Sequence, residues 1–195
     1  MKSHARVVVI GGGVVGVSTL YHLTKKGWSD VVLLERTELT AGSTWHAAGL
    51  LPLFNMSYTV GQLHKYSVDL YKRLPAETGQ DVSFHVTGNL RLATCRDRMD
   101  EYRKYCGTAN TIGVPFQLIS PAEVKELWPL VNLGGDADTP AVIGALYHPD
   151  DGHIAPADLT AALRKAARSA GAEINEQTEV TGAVQLPSGE WKLTT

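Results

Sequence analysis

The sequence predicts an α/β protein in which an incomplete nucleotide-binding domain is interrupted by an inserted α+β domain. Three observations support this prediction. A β-branched run at residues 7–10 leads at once into a glycine-rich turn and a helical pattern. A second apolar run at residues 31–34 ends in an acidic residue. Short alternating runs and helical patterns then follow one another over residues 83–148, as is typical of an α+β domain.

The first strand, at residues 7–10, is continuously apolar and is expected to be a central parallel strand that is buried on both faces. The pattern G-x-G-x-x-G follows it at residues 11–16. In this Rossmann-like turn Gly11 allows the chain to reverse, Gly13 lets the backbone approach a pyrophosphate, and Gly16 permits close packing of the helix on the strand.

The helix predicted over residues 14–26 begins at Val14 and Val15, where N–H groups and the positive end of the helix dipole favour phosphate. The second strand ends at Glu35, where a carboxylate can accept hydrogen bonds from an adenosine ribose. Arg36 follows, and the sequence does not decide whether it lies beside the adenine or in solvent. The alternative is a glycine-rich turn without a ligand, but the order of strand, glycines, helix, strand and acid argues against it.

The loop at residues 42–50 favours a flavin dinucleotide over a nicotinamide dinucleotide. Small residues let the backbone pass close to a ligand, and hydroxyl and N–H groups can bind phosphate or ribitol oxygens. The candidate flavin contacts in this loop are Gly42, Ser43, Thr44, Trp45, His46, Ala47, Ala48, Gly49 and Leu50.

Two aromatic side chains in this loop have more than one interpretation. Neutral imidazole is nucleophilic, so His46 could attack an electrophilic methyl carbon of flavin, or it could donate a hydrogen bond near the cofactor without forming a bond. Trp45 either stacks near the flavin or fills the core, and we expect it in the core.

Residues 35–36 and 41–51 resemble the second flavin-contact segment of the D-amino-acid-oxidase-like flavoproteins. Within that family they are most similar to the dimethylglycine and sarcosine dehydrogenases. A second match, at residues 144–154, resembles the strand and turn that lead back from the substrate domain. The family more often has Gly-Asp-Gly where this chain has residues Asp150, Asp151 and Gly152. The resemblance covers nearly the whole chain.

The resemblance implies FAD as cofactor, bonded covalently through His46, and a backbone contact from Val180 to the adenine end. It implies oxidative N-demethylation of a small amine substrate, dimethylglycine or sarcosine, by hydride transfer to the flavin. The electron acceptor would be an electron-transfer flavoprotein or oxygen, and tetrahydrofolate could take the one-carbon unit in the full-length protein. No catalytic residue is identified, because much of the substrate site in related flavoproteins lies later in the chain.

Two other functions stay open. One keeps FAD but changes the substrate to glycine, a D-amino acid or another small amine. The other is a regulatory flavoprotein homologue that has no dehydrogenase activity.

Composition excludes several classes of protein. With a net charge of −2 and no long basic run, nucleic acid is an unexpected partner. The longest apolar run, residues 7–17, is too short and glycine-rich to span a membrane. Cys95, Cys106 and the histidines have neither disulfide nor metal-ligand spacing, so we expect reduced thiols in the cytoplasm, or in the mitochondrial matrix of a eukaryote.

We expect residues 1–82 to form the first part of the FAD-binding domain, 83–148 the first part of the substrate domain, and 149–195 the return to the FAD-binding domain. Because the final segment looks like a strand without a closing turn, we expect the chain to be the N-terminal part of a longer protein. Further helices are predicted at residues 60–74, 97–111, 120–128 and 156–170, and further strands at 89–94, 115–119, 141–147, 173–177, 179–185 and 190–195. The strands at 173–177 and 179–185 are expected to return to the nucleotide-binding sheet, with Val180 as a buried strand residue.

Helical spacing also predicts which side chains face inward. They are Val17, Leu20, Tyr21 and Thr24 in the first helix, Val60, Leu63, Ser67, Leu70, Tyr71 and Leu74 in the second, Met99, Tyr102, Cys106 and Ala109 in the third, and Leu159, Ala162, Leu163, Ala166 and Ala167 in the last. Ser120 and Glu123 have the spacing of a capping box at the start of the helix at residues 120–128.

Overall fold

The computed structural model describes residues 2–195 and contains two compact units. The first comprises residues 2–49, 71–83 and 154–195, and the second comprises residues 50–70 and 84–153. Helices and strands occur in both, so the predicted mixture of α and β structure is confirmed. The predicted domain bounds stay a prediction. The compact units divide the chain differently from these bounds, because residues 50–70 belong to the second unit.

The helices are α1 (Val14–Lys25), α2 (Tyr58–Thr78), α3 (Arg96–Ile112), α4 (Pro121–Leu127) and α5 (Pro156–Ser169). The strands are β1 (Val7–Ile10), β2 (Val31–Leu34), β3 (Leu50–Leu51), β4 (His85–Val86), β5 (Asn89–Ala93), β6 (Gln117–Ile119), β7 (Gly144–His148), β8 (Gly152–His153), β9 (Glu173–Asn175), β10 (Gly182–Gln185) and β11 (Trp191–Thr194). Among residues 2–195 no helix is both long and apolar enough to cross a membrane.

The first unit contains a parallel sheet of three strands in the order β1-β2-β9. All four residues of β2 are buried, as a central parallel strand requires. The expectation that β1 is central and buried on both faces is wrong in this structure. It lies at the edge of the sheet and is only partly buried, and its last residue, Ile10, is exposed.

Helix α1 buries the stripe that its spacing predicts, namely Val17, Leu20, Tyr21 and Thr24. It packs against α5, whose buried face is predicted correctly except that Thr160 takes the place of Ala166. The Thr160 hydroxyl is compatible with burial because it donates to the carbonyl of Pro156, one turn earlier, at 2.8 Å.

After β9 the chain does not add a further strand to the nucleotide-binding sheet. β10 pairs only with β11, in an antiparallel hairpin, so the prediction that residues 179–185 return to the parallel sheet is wrong. The turn residues Ser188 and Gly189 explain the hairpin. Gly189 has a positive φ of 87°, which the tight reversal requires.

The second unit is built on an antiparallel sheet in the order β5-β7-β6. Helix α3 packs on it through Met99, Tyr102 and Ala109, as predicted. The prediction of an inward Cys106 is wrong, because Tyr105 occupies the core and Cys106 is only partly buried. Helix α4 opens with the predicted capping box between Ser120 and Glu123.

Two further features differ from prediction, one in α2 and one in the second sheet of the second unit. The helical pattern at residues 60–74 correctly gives α2, but Val60 and Leu63 are exposed, and Val68 is buried instead. A second sheet, in the order β3-β8-β4, is not predicted at all. Each of its strands has two residues, which is too short for a periodic pattern to be detectable.

Candidate cofactor site

The glycine-rich turn between β1 and α1 needs glycine for two separate reasons. Gly11 has a φ of 108°, which residues with a side chain rarely adopt, and its N–H donates to the Leu34 carbonyl at 2.8 Å. A Cβ at Gly16 would collide with the carbonyl oxygen of Gly11. The turn therefore brings the helix onto the strand as closely as a dinucleotide-binding unit requires.

Gly12 is also constrained, although the G-x-G-x-x-G pattern leaves its position open. A Cβ there would collide with the Leu39 side chain and would come within 3.0 Å of Glu35. Its N–H donates to the Glu35 carboxylate at 2.6 Å. No feature of the motif itself indicates that Gly12 must be glycine, since the constraint comes from residues at and after the end of β2.

Thr44 joins the loop after β2 to the beginning of α1. The Val14 N–H donates to the Thr44 hydroxyl oxygen at 2.9 Å, and a Cβ at Gly13 would lie 3.1 Å from the same oxygen. The first N–H groups of a helix have no carbonyl partner one turn earlier, so this bond supplies one of the missing acceptors. At 8% exposure Thr44 is the one buried residue among residues 42–50.

Glu35 is held as an ionised acceptor at the end of β2. One carboxylate oxygen accepts from the Gly12 N–H, and the other accepts from the Thr37 N–H at 2.9 Å and the Thr37 hydroxyl at 3.1 Å. Burial raises the pKa of Glu35, but the backbone hydrogen bonds from Thr37 and Gly12 outweigh it and leave the pKa below its ordinary value. A carboxylate has about four acceptor positions, so three bonds leave room for a ribose hydroxyl.

The segment after β9 runs beside Glu35. The N–H of Thr178 donates to the Glu35 carbonyl at 2.8 Å, and the N–H of Gln177 donates to the Thr37 carbonyl at 2.8 Å. Val180 follows two residues later. It is half-buried and lies outside any strand, so the expectation of a buried strand residue is wrong. Arg36 is exposed beside this segment.

Most of the loop at residues 42–50 is exposed, including His46. The expectation that Trp45 fills the core is wrong, because 66% of its surface is exposed. Its ring meets the His46 ring edge-on, with centroids 4.7 Å apart. The segment folds as successive turns, in which the Thr44 hydroxyl binds the first turn of α1 while the neighbouring Trp45 stays exposed.

The end of this loop is fixed by its backbone. Gly49 has a φ of 72°, and its carbonyl accepts from the Ile154 N–H at 2.9 Å. A Cβ at Gly49 would collide with the Ile154 carbonyl oxygen, so glycine is required. Leu50 then begins β3, in the second unit, and is largely exposed.

The structure therefore brings together a glycine turn, a helix N-terminus, an ionised carboxylate and a small-residue loop within the first unit. The predicted residues that hydrogen bonds or close packing join there are Gly11, Gly13, Val14, Gly16, Glu35 and Thr44. Val15 and Ile10 flank the turn and are exposed, as is Trp45. A glycine-rich turn at a helix N-terminus, bordered by exposed apolar side chains, suits a dinucleotide with a flat aromatic ring system. Among residues 2–195 no group of three histidine, cysteine or acidic side chains could hold a metal ion.

Comparison with known proteins agrees with a dinucleotide-binding protein. Residues 6–195 match the family DAO, FAD-dependent oxidoreductase. The chain is 44% identical over 194 residues to mitochondrial dimethylglycine dehydrogenase of Rattus norvegicus, covering 100% of this chain and 22% of that protein. It is 42% identical over 183 residues to mitochondrial sarcosine dehydrogenase of Homo sapiens, covering 93% of this chain and 19% of that protein.

Another relative has a name that denotes regulation. The chain is 38% identical over 180 residues to the mitochondrial pyruvate dehydrogenase phosphatase regulatory subunit of Mus musculus, covering 92% of this chain and 20% of that protein. The chain thus spans about a fifth of the length of these relatives.

A solved structure shows the same fold. L-proline dehydrogenase from P. horikoshii superposes with a TM-score of 0.86 at 32% identity, over 96% of this chain and 48% of that chain. The family match covers almost every residue of the chain, and more than a third of the residues aligned with these relatives are identical. The chain belongs to the DAO family of FAD-dependent oxidoreductases.

Proposed function

We propose that this chain is the FAD-binding N-terminal part of an enzyme that oxidatively demethylates a small N-methylated amino acid. The observation that carries the proposal is the pairing of an ionised Glu35 and a Thr44-capped helix in a chain that is 44% identical to dimethylglycine dehydrogenase. Bound FAD would accept a hydride equivalent from the N-methyl carbon and pass the electrons to an electron-transfer flavoprotein or to oxygen.

The chain's own residues would bind and orient the dinucleotide. Glu35 would accept hydrogen bonds from the adenosine ribose, and the backbone of Val180 would lie at the adenine end. The pyrophosphate would rest on the N-terminus of α1, next to Gly13 and Val15, where the N–H groups and the helix dipole stabilise negative charge. The exposed small residues at 42–49 would then accommodate the flavin half.

His46 would form the covalent bond to the flavin: a ring nitrogen would give up its proton and bond to a flavin methyl carbon, and the proton and two electrons of the broken C–H bond would pass to the same acceptor, oxygen or an electron-transfer flavoprotein. Its imidazole is exposed, so a ligand can reach it, and the edge contact with the Trp45 ring restricts its orientation. The test is precipitation of the full-length protein with acid and organic solvent. Flavin that stays with the pellet in the wild type and is released from H46A would support the bond. Flavin released from the wild type would overturn it, while leaving non-covalent FAD binding intact.

The substrate is tested by turnover. The full-length protein, loaded with FAD, is assayed with dimethylglycine, sarcosine, glycine and D-alanine, with formaldehyde as the product that distinguishes demethylation. An E35Q variant should bind FAD more weakly, because an amide lacks the second strong acceptor oxygen, but should keep the same order of substrate preference. Preference for glycine or D-alanine would replace the proposed substrate and retain FAD oxidation. Tetrahydrofolate added to the assay should reduce free formaldehyde if it captures the one-carbon unit.

A regulatory flavoprotein is the second candidate, and the 38% identity to the pyruvate dehydrogenase phosphatase regulatory subunit favours it. The two candidates differ in one measurement. Under anaerobic conditions an enzyme's bound flavin is bleached by its amine substrate, whereas a regulatory homologue's flavin stays oxidised with every amine. In a eukaryote we propose the mitochondrial matrix as the location of either protein, and the mitochondrial names of the relatives support this proposal.

A further inference from the structure

Asp151 is a buried carboxylate in the second unit that joins three separate segments of the chain. Only 1% of its surface is exposed. Its Oδ1 accepts a hydrogen bond from the Leu53 N–H at 2.9 Å. Its backbone carbonyl accepts from the N–H groups of Thr87 at 3.2 Å and Gly88 at 2.8 Å. Burial of a carboxylate is costly unless it is hydrogen-bonded, so the bond from Leu53 offsets part of the cost of burying Asp151.

Tyr105 binds the other polar group of Leu53. The Tyr105 hydroxyl lies 3.3 Å from the Leu53 carbonyl oxygen and 3.0 Å from Nε2 of His148. A hydroxyl has one proton, so donation to Leu53 leaves its oxygen to accept from His148, which requires the proton of the imidazole on Nε2. Both Tyr105 and His148 are fully buried. The N–H and the C=O of Leu53 are therefore each bound by an interior side chain.

These bonds lie at the end of a very short sheet. Leu51 pairs with Gly152, and Leu50 pairs with His153, while β4 pairs with the other side of β8. Strands of two residues make too few hydrogen bonds to define their own register. Asp151 directly precedes β8, and its carboxylate binds the Leu53 N–H two residues after β3. This side-chain bond therefore continues the contact between the two segments beyond the last backbone pair.

The strand β3 also continues the candidate flavin loop. Leu50 is both the first residue of β3 and the last residue of the loop at 42–50. The preceding residue, Gly49, already has its carbonyl bound by the Ile154 N–H at 2.9 Å. Gly49 is bound to Ile154, Leu50 is paired with His153, and Leu53 is bound by Asp151 and Tyr105. These contacts leave the chain little freedom at the point where the loop ends.

We propose that Asp151 and Tyr105 are positioning residues which, by binding the N–H and C=O of Leu53, hold β3 and thereby fix the end of the flavin loop that contains His46. This inference rests on the proposed function for its consequence, since the loop's role in binding flavin belongs to that proposal. The positioning itself depends only on contacts within the second unit.

The first test compares D151L, which removes the acceptor, with D151N, which retains an acceptor oxygen at nearly the same place. Amide hydrogen exchange is measured over residues 50–54, with D138L and D138N as matched controls at an exposed aspartate of the same unit. Loss of one hydrogen bond to a buried N–H predicts exchange about tenfold faster in D151L. D151N and both controls should match the wild type. Unchanged exchange in D151L would overturn the proposal, and so would D151N that exchanges as fast as D151L.

The second test asks whether the positioning reaches the flavin. FAD affinity, measured in the H46A background so that binding is reversible, and the visible flavin spectrum are compared in the full-length wild type, D151L and D151N, with Y105F as a second variant if D151L does not fold. We expect about tenfold weaker binding and an altered spectrum in D151L or Y105F, with rescue in D151N. Faster exchange with unaltered flavin would overturn the link to the loop. A wild type that binds no FAD would instead refute the proposed function, and the exchange comparison would still decide the positioning.

Discussion

The Thr44 hydroxyl accepts the Val14 N–H at 2.9 Å, so a residue from the loop after β2 caps the helix that follows β1. The cap does not come from the residue before the helix, Gly13, which has no side chain and makes no such bond. A Cβ at Gly13 would lie 3.1 Å from the same hydroxyl oxygen, a tight contact that a small shift of the Thr44 side chain would have to relieve. The capping function has therefore moved to a residue distant in sequence, and the backbone in front of α1 stays open to a phosphate.

Replacing Thr44 by valine should destabilise the first unit. The shape is kept, but the Val14 N–H loses its acceptor, and loss of a helix cap costs about 0.5–2 kcal/mol. T44S keeps the hydroxyl and should lie close to the wild type. Urea unfolding measures the difference in the free energy of unfolding. If T44V and T44S were equally stable, the hydrogen bond would contribute nothing and the loop would be held by packing alone.

Gly16 and Gly107 offer a direct comparison of a constrained and an unconstrained helical glycine. A methyl group at Gly16 would collide with the Gly11 carbonyl oxygen, whereas a Cβ at Gly107 would meet nothing within 4 Å. G16A should lose stability by roughly 2 kcal/mol or more, as overpacking against backbone does. G107A should gain up to about 1 kcal/mol, because alanine is the better helix former. Thermal unfolding of both variants checks the contrast, and a stable G16A would mean that α1 can shift away from β1 without cost.

Trp45 should matter to the cofactor and not to the fold. Because most of its surface is exposed, W45A should change the free energy of unfolding by no more than about 0.5 kcal/mol. If the ring lies against the flavin half, the same variant should weaken FAD binding about tenfold, and W45F should recover part of the loss. Isothermal titration with FAD, in the H46A background so that binding is reversible, and urea unfolding together separate the two effects. A large loss of stability without a change in affinity would restore Trp45 to a structural role.

The contrast between Trp45 and the β1-α1-β2 unit shows where sequence reasoning succeeds and where it stops. The buried stripe of α1 and the role of Gly11 follow from periodicity and backbone sterics, which are local properties. The exposure of Trp45 depends on which surfaces its loop meets, and no neighbouring residue encodes that. In α3 the helical spacing allows either Tyr105 or Cys106 to face the core. Tyr105 is the buried one, and its hydroxyl makes hydrogen bonds with Leu53 and His148, which are distant in sequence. The edge position of β1 likewise reflects pairing between distant segments and not its apolar sequence.

Asp151 and His148 should have opposite effects on the pH dependence of stability. The pKa of Asp151 is raised from 3.8 to about 6, chiefly by burial. The hydrogen bond from the Leu53 N–H and the charge of Arg91 lower this pKa, and the charge of Asp150 raises it. Burial and then the charge of Arg91 lower the pKa of His148 from 6.5 to about 4. Between about pH 4 and 6 the folded chain thus has a protonated Asp151 and a neutral His148, whereas the unfolded chain has both groups charged. Folding moves one proton from histidine to aspartate, and the two contributions nearly cancel.

Single variants should reveal the two slopes that cancel in the wild type. D151N removes the group for which the folded state binds more protons, so its free energy of unfolding minus that of the wild type should rise by about 2 kcal/mol from pH 4 to 6. H148Q removes the group for which the unfolded state binds more protons, so the same difference should fall by about 2 kcal/mol from pH 4 to 6. Urea unfolding at half-unit pH intervals gives each profile as a difference from wild type, which removes the titration of the other groups. Parallel profiles for all three proteins would mean that the two side chains titrate at their ordinary pKa values, and that water reaches the interior around Tyr105.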